Sequence, residues 1–239
     1  MKKVKRFFLA GLLLVGATAA WAQDEIETTV SGDVVSSYIW RGQDLGDVSL
    51  QPTLGVSYKG LSLTAWGSVG LTDPLDTKEF DLTLSYTTGG LNIGITDYWF
   101  DAGLDPDARY FKYDAHGTNH VFEANIGYDF GVASVQWFTN FAGNDGINKD
   151  GKRAYSSYAE VVVPFKLSAI DWTATVGAVP YATSFYNDWT SGFAVTNVSL
   201  KATKDIKVTD SFSIPVFGQI AANPCTQKAY LVFGFTLQP

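Results

Sequence analysis

Residues 78–100 read KEFDLTLSYTTGGLNIGITDYWF. Phe80, Leu82, Leu84 and Tyr86 alternate with Asp81, Thr83 and Ser85, and after a turn at Thr88–Gly90 the residues Leu91, Ile93 and Ile95 alternate with Asn92 and Gly94. Successive side chains of a strand point to opposite faces, so each run carries one apolar and one polar face. A tight turn between two such runs reads as an antiparallel pair, greasy on one side and wet on the other.

The same two-residue period recurs along the chain. It appears in 61–71, in 122–130 (Phe122, Ala124, Ile126, Tyr128 and Phe130 against Glu123, Asn125, Gly127 and Asp129), in 159–165, in 172–178 and in 231–237. The pattern predicts about twelve strands, near 28–41, 48–58, 61–71, 78–87, 91–100, 119–130, 132–141, 154–165, 170–180, 193–203, 211–221 and 228–237. At ~3.3 Å per residue and a tilt of roughly 40–45°, ten residues rise about 25 Å, the height of a hydrocarbon core.

The connections sort by length. Lys59–Gly60, Thr88–Gly90, Phe130–Gly131, Lys166–Ala169 and Lys204–Asp210 are mostly tight, whereas 42–47, 72–77, 101–118, 142–153, 181–192 and 222–227 are longer. Short turns on one side and long loops on the other mark an all-β, up-and-down transmembrane barrel. A β-sandwich has no reason to sort its connections this way and would hold its aromatics mid-strand. Here they collect near strand ends: Tyr38, Trp40, Tyr98, Trp99, Phe100 and Tyr155 toward the long loops, and Tyr58, Tyr86, Tyr128, Phe130 and Phe165 toward the short turns. Two such belts suit the headgroup layers of a bilayer.

The first 22 residues read as an export address. Lys2, Lys3, Lys5 and Arg6 precede the apolar run Phe7–Ala20, and Ala20-Trp21-Ala22 is a small-x-small cleavage site. The run is shorter than the ~20 residues of a spanning helix. The chain therefore divides into a leader, 1–22, and a barrel, 23–239. The mature segment holds 13 basic residues against 24 acidic ones, a net charge of −11, which argues against nucleic acid as a partner. A single cysteine, Cys225, allows no intrachain disulfide and no thiolate metal site. Export plus a barrel places the protein in the outer membrane of a Gram-negative bacterium, with lipid, lipopolysaccharide and the barrel assembly machinery as partners.

Ser37-Tyr38-Ile39-Trp40-Arg41-Gly42, followed by Gln51-Pro52, Gly55 and Ala65-Trp66-Gly67-Ser68, resembles the TorF family of porin-like proteins of the outer membrane. The resemblance covers about the first two strand pairs. It implies an outer-membrane location more than any particular solute. The chain ends Phe235-Thr236-Leu237-Gln238-Pro239, without the terminal aromatic residue usual in such barrels.

Twelve strands leave a lumen between that of a filled eight-stranded barrel and a wide porin, so a narrow channel for small solutes or ions is the leading functional reading. The polar face supplies Asp33, Asp81, Glu123, Asn125, Asp129, Glu160 and Lys201, with Arg41 near the outer mouth, as candidate pore-lining residues. Acidic walls favour cations. The same carboxylates could instead pair with Arg41 and Lys201 and plug the barrel. Phe193, Val195 and Phe217 also read as inward-facing and would narrow the passage. In the long loop, Asp105 and Asp107 form a weak candidate cation site without the spacing of a calcium loop. His116 and His120 make no convincing zinc pair. A barrel enzyme would need a Ser–His constellation that the sequence lacks, so no catalytic residue and no cofactor is expected. A surface-binding barrel is the third reading, because Tyr110–Tyr113 and Phe185–Trp189 put aromatic clusters in long loops, the alternative being that these clusters fold inward over the pore.

Overall fold

The computed structural model describes residues 26–239 apart from 102–104, 106, 107, 116, 188–191 and 211; the leader and its cleavage site lie outside the described residues. The strands are β1 (Glu27–Val35), β2 (Tyr38–Trp40), β3 (Gln43–Gly46), β4 (Ser49–Tyr58), β5 (Leu61–Gly70), β6 (Lys78–Thr88), β7 (Leu91–Asp101), β8 (His120–Asp129), β9 (Ser134–Gly143), β10 (Ser157–Leu167), β11 (Ile170–Val179), β12 (Ala194–Lys207), β13 (Ser213–Asn223) and β14 (Lys228–Leu237). From β4 to β14 each strand pairs antiparallel with the next, and β1 pairs with β4 on one side and β14 on the other. The result is a closed wall of twelve strands, as the two-residue period predicts.

Alternation sets which face each side chain takes. Val56, Leu63, Leu84 and Ile95 form a row across β4–β7 on the outside, and Leu200, Ile220 and Leu231 continue it across β12–β14. Leu63, Leu84, Ile95, Ile220 and Leu231 each leave half or more of their surface exposed. So continuous an apolar belt is the face of a membrane barrel. Among the described residues no helix is long and apolar enough to cross a membrane. Three short turns, Lys59–Gly60, Gly89–Gly90 and Ser168–Ala169, take positive φ at both positions. This geometry matches the twist of the strands they join.

Four expectations are corrected. The first predicted strand, 28–41, ends at Val35, where the chain leaves the wall and makes the separate hairpin β2–β3 inside the barrel. The loop at 222–227 shortens to Pro224–Gln227, because β13 runs on to Asn223. Its Asn223 Oδ1 accepts from the Cys225 and Thr226 backbone N–H groups. The short-turn aromatic belt (Tyr58, Tyr86, Tyr128, Phe130, Phe165) lies exposed on the outside, but at the other end Tyr38, Trp40, Tyr98 and Phe100 belong to the lumen cluster. Trp99 and Tyr155 keep their expected outer places and Phe80, Phe122 and Phe141 join them on the outer wall, because strand parity, not nearness to a strand end, decides the face. Finally, a bulge between Gly177 and Ala178 shifts the register of β11 on β12, so that Val195 pairs with Ala178 on the outer face, and Phe193 is exposed; Phe217 does point inward.

Candidate functional site: the lumen and its inward hairpin

Residues 36–48 fold from the long-loop end into the lumen. Tyr38 Oη donates to Glu79 Oε2 at 2.8 Å, and its ring packs on Trp66 with centroids 5.5 Å apart. Trp40 sits against Tyr98 at 5.7 Å, Tyr186 at 6.1 Å and Phe185 at 6.2 Å. At the tip, Arg41 and Gly42 both take positive φ, 49° and 80°. Gly42 tolerates no substitute, since a Cβ there would meet the Thr196 carbonyl oxygen at 1.8 Å. Asn223 Nδ2 donates to the Gly42 carbonyl oxygen at 3.1 Å and ties the tip to β13.

The tip delivers Arg41 into a cage on the far wall. Its Nη1 donates to Glu123 Oε2 at 2.5 Å and its Nη2 to Glu123 Oε1 at 2.9 Å, a two-pronged carboxylate bond. Nη1 also donates to the Tyr186 hydroxyl. The guanidinium lies 4.0 Å from the Phe138 centroid, 4.5 Å from Trp40, 4.7 Å from Tyr158 and 5.9 Å from Tyr186. Tyr98 Oη donates to Glu123 Oε1 at 2.9 Å, and Asn197 Nδ2 to Tyr158 Oη at 3.4 Å. Glu160 hydrogen-bonds Tyr158 and brings a second carboxyl near Arg41. Room for the Tyr158 ring is made by Gly177, where a Cβ would meet Tyr158 Oη at 1.8 Å. Glu123 is 2% exposed and Tyr158 0%, so the cage is dry on the protein side.

Toward the short turns the lumen is lined by small polar groups. Thr83 and Thr96 hydroxyls meet at 2.9 Å, Asn125 Nδ2 donates to Asn92 Oδ1 at 2.7 Å, and Thr236 Oγ1 donates to Asp33 Oδ1 at 2.6 Å. Lys201 Nζ lies 3.5 Å from the Phe217 centroid.

All eight candidate pore residues share the lumen side. Asp33, Asp81, Glu123, Asn125, Asp129, Glu160 and Lys201 sit at the inward positions of their strands, and Arg41 reaches the lumen from the hairpin instead of the mouth. Arg41, Glu123 and Glu160 come together; Asp33 and Lys201 form a second group, Asp81 shares a hydrogen bond with Glu79, and Asp129 caps the β8–β9 turn by accepting from the Gly131 N–H at 2.7 Å. Glu79, Tyr98, Phe138, Tyr158 and Tyr186 were missed. Glu79 shares the parity of Asp81 and was legible; Tyr186 belongs to the aromatic run 185–189, for which the sequence leaves surface binding and folding inward over the pore both open.

The loop after β7 goes the other way. Asp97 and His120 face outward, and His120 Nδ1 lies 2.7 Å from Asp97 Oδ1. Tyr113 stacks on the imidazole at 4.2 Å, and the Tyr110 carbonyl oxygen lies 2.5 Å from Nε2. The Tyr110 ring packs on Phe80 and Trp99 at 5.5 and 5.9 Å. The loop thus covers a polar pair on the outer wall and leaves Phe111 88% exposed. Asp105 is exposed, Asp107 and His116 lie outside the described residues, and no metal-holding cluster occurs among the described residues. In the loop between β9 and β10, burial pushes the Asp145 carboxyl up and the Arg153 guanidinium, 3.2 Å away, opposes the shift.

No family model and no curated protein matches the chain. Several solved structures are similar in outline, two of which follow. One is an outer membrane channel from Pseudomonas putida F1, with a TM-score of 0.40 at 12% identity over 87% of this chain and 94% of that one. The other comes from a study of in-meso crystallization of membrane proteins, with a TM-score of 0.41 at 9% identity over 89% of this chain and 83% of that one. Likenesses this distant carry no argument about function.

Proposed function

We propose that the protein is a porin-like channel of the bacterial outer membrane that passes small solutes or ions by diffusion and prefers cations. The observation that carries the reading is a closed twelve-strand wall with an apolar outside and a polar lumen. That lumen holds Asp33, Glu79, Asp81, Glu123, Asp129 and Glu160 against Arg41 and Lys201. Carboxylates facing a water-filled passage concentrate cations. In the same reading the leader 1–22 is removed on export, lipid and lipopolysaccharide surround the belt, and the barrel assembly machinery inserts it. The resemblance of Ser37–Gly42 and Ala65–Ser68 to the TorF family agrees with that location.

A second reading has its own support: the hairpin carrying Arg41 occupies the outer half of the lumen, as a permanent plug would. Planar-bilayer recording separates the two. A channel gives small, steady, cation-selective steps that grow when residues 37–47 are replaced by a short linker. A barrel silent in both forms is a structural or surface-binding wall, and an anion-selective reversal potential would refute the cation preference.

A further inference from the structure

The guanidinium of Arg41 is held as a ligand is held. A structural ion pair needs one carboxylate, yet this group meets a two-pronged carboxylate, a tyrosine hydroxyl and the faces of four aromatic rings. Of those recognition groups only Trp40 belongs to the hairpin; Glu123, Phe138 and Tyr158 stand on three adjacent wall strands, and Tyr186 comes from the loop before β12. The occupant arrives on a three-residue strand paired only with the four-residue β3 and tied at its tip by the Asn223 bond. A second carboxyl, Glu160, hydrogen-bonds Tyr158 and stands near Arg41. Beside Glu123 in the β8–β9 ladder stands Asn140, 1% exposed, whose amide nitrogen and oxygen have no hydrogen-bond partner among the described residues. These are free polar contacts next to the cage.

We propose that this cage is a binding site for solutes bearing a guanidinium group, and that Arg41 fills it as a tethered pseudo-ligand which such a solute displaces. A planar fork matches Glu123, and its flat faces stack on the rings; a compact ammonium does neither equally well. The proposal rests on the channel reading for its physiological sense, but not for its chemistry.

The test uses purified full-length barrel in detergent, with ethylguanidinium as probe and ethylammonium as control. By calorimetry, Arg41→Ala and Arg41→Gln bind ethylguanidinium, and bind ethylammonium about tenfold more weakly. Adding Glu123→Gln to either abolishes the binding. In the wild type, ethylguanidinium raises the rate at which chymotrypsin cuts after Tyr38 or Trp40, and ethylammonium does not. Folded variants, verified by their heat-dependent gel shift, that bind neither probe or bind both equally overturn the site. If neither variant folds, the chymotrypsin comparison decides alone, and equal cutting with both probes overturns it. A wild type and a 37–47 linker form that both never conduct, alongside an Arg41→Ala variant that binds ethylguanidinium, refute the channel and keep the site; conduction without binding does the reverse.

Discussion

The segments 36–48 and 108–115 lie at the same end of the barrel, and both bring aromatic rings against a wall carboxylate. The first turns inward, and its Arg41 meets Glu123 on β8; the second lies on the outer wall, where Tyr110 and Tyr113 close over the Asp97–His120 pair between β7 and β8. The two carboxylates stand on neighbouring strands but on opposite faces. Inside, the charge pair can share the lumen with other polar groups. Outside, facing lipid, it needs a cover, since an uncompensated polar group in hydrocarbon is costly. Strand parity sets the face of each carboxylate, and each segment lies on the face that its carboxylate takes.

Breaking each pair separately measures that difference. The largest effect is expected from Glu123→Ala with Arg41 retained, which strands a buried guanidinium at a cost of about 3–5 kcal/mol. Urea unfolding in detergent should show it, and the double change Arg41→Met/Glu123→Met should recover most of the loss. Next comes Asp97→Ala, which leaves His120 without its Nδ1 partner under the loop, at about 1–3 kcal/mol. It should also raise protease cutting beside the exposed Phe111; unchanged cutting would mean the loop is held by its rings alone. Gly177→Ala forces the Tyr158 hydroxyl out of the cage, at about 1–3 kcal/mol by overpacking. It should loosen the inner segment while leaving the outer loop as resistant as before. The baseline is Lys166–Asp171 at the far end, an exposed pair 3.0 Å apart. There Asp171→Asn should shift stability by less than about 0.5 kcal/mol.

Nearly all of the wall was legible, because a period of two is local and a membrane outside forces every strand to obey it. The same parity put Asp33, Asp81, Glu123, Asn125, Asp129, Glu160 and Lys201 on the lumen side. What escaped is what local pattern does not encode. Tyr38, Ile39 and Trp40 continue the alternation of β1 although the chain has left the wall, so one long strand was read where a strand and an inner hairpin exist. The partner of Arg41 lies 82 residues away, and no spacing announces it. The bulge at Gly177–Ala178 reverses the expected face of Val195 with no mark in the sequence that a regular strand would lack.

The wall closes through a narrow seam. β1 shares nine paired positions with β4 but only four with β14, Gly32–Val35 against Leu237–Gly234. All other rungs of the cylinder join strands close together in the chain, β1 and β4 being separated only by the inward hairpin, whereas these four join residues about two hundred apart and carry the largest loop-closure entropy. Two further contacts reinforce them: Thr236 to Asp33, and the exchange of hydrogen bonds between Ser36 and Phe233. The cylinder is thus a ribbon closed along its shortest edge, and Asp33, one of the lumen's carboxylates, doubles as a tooth of that closure.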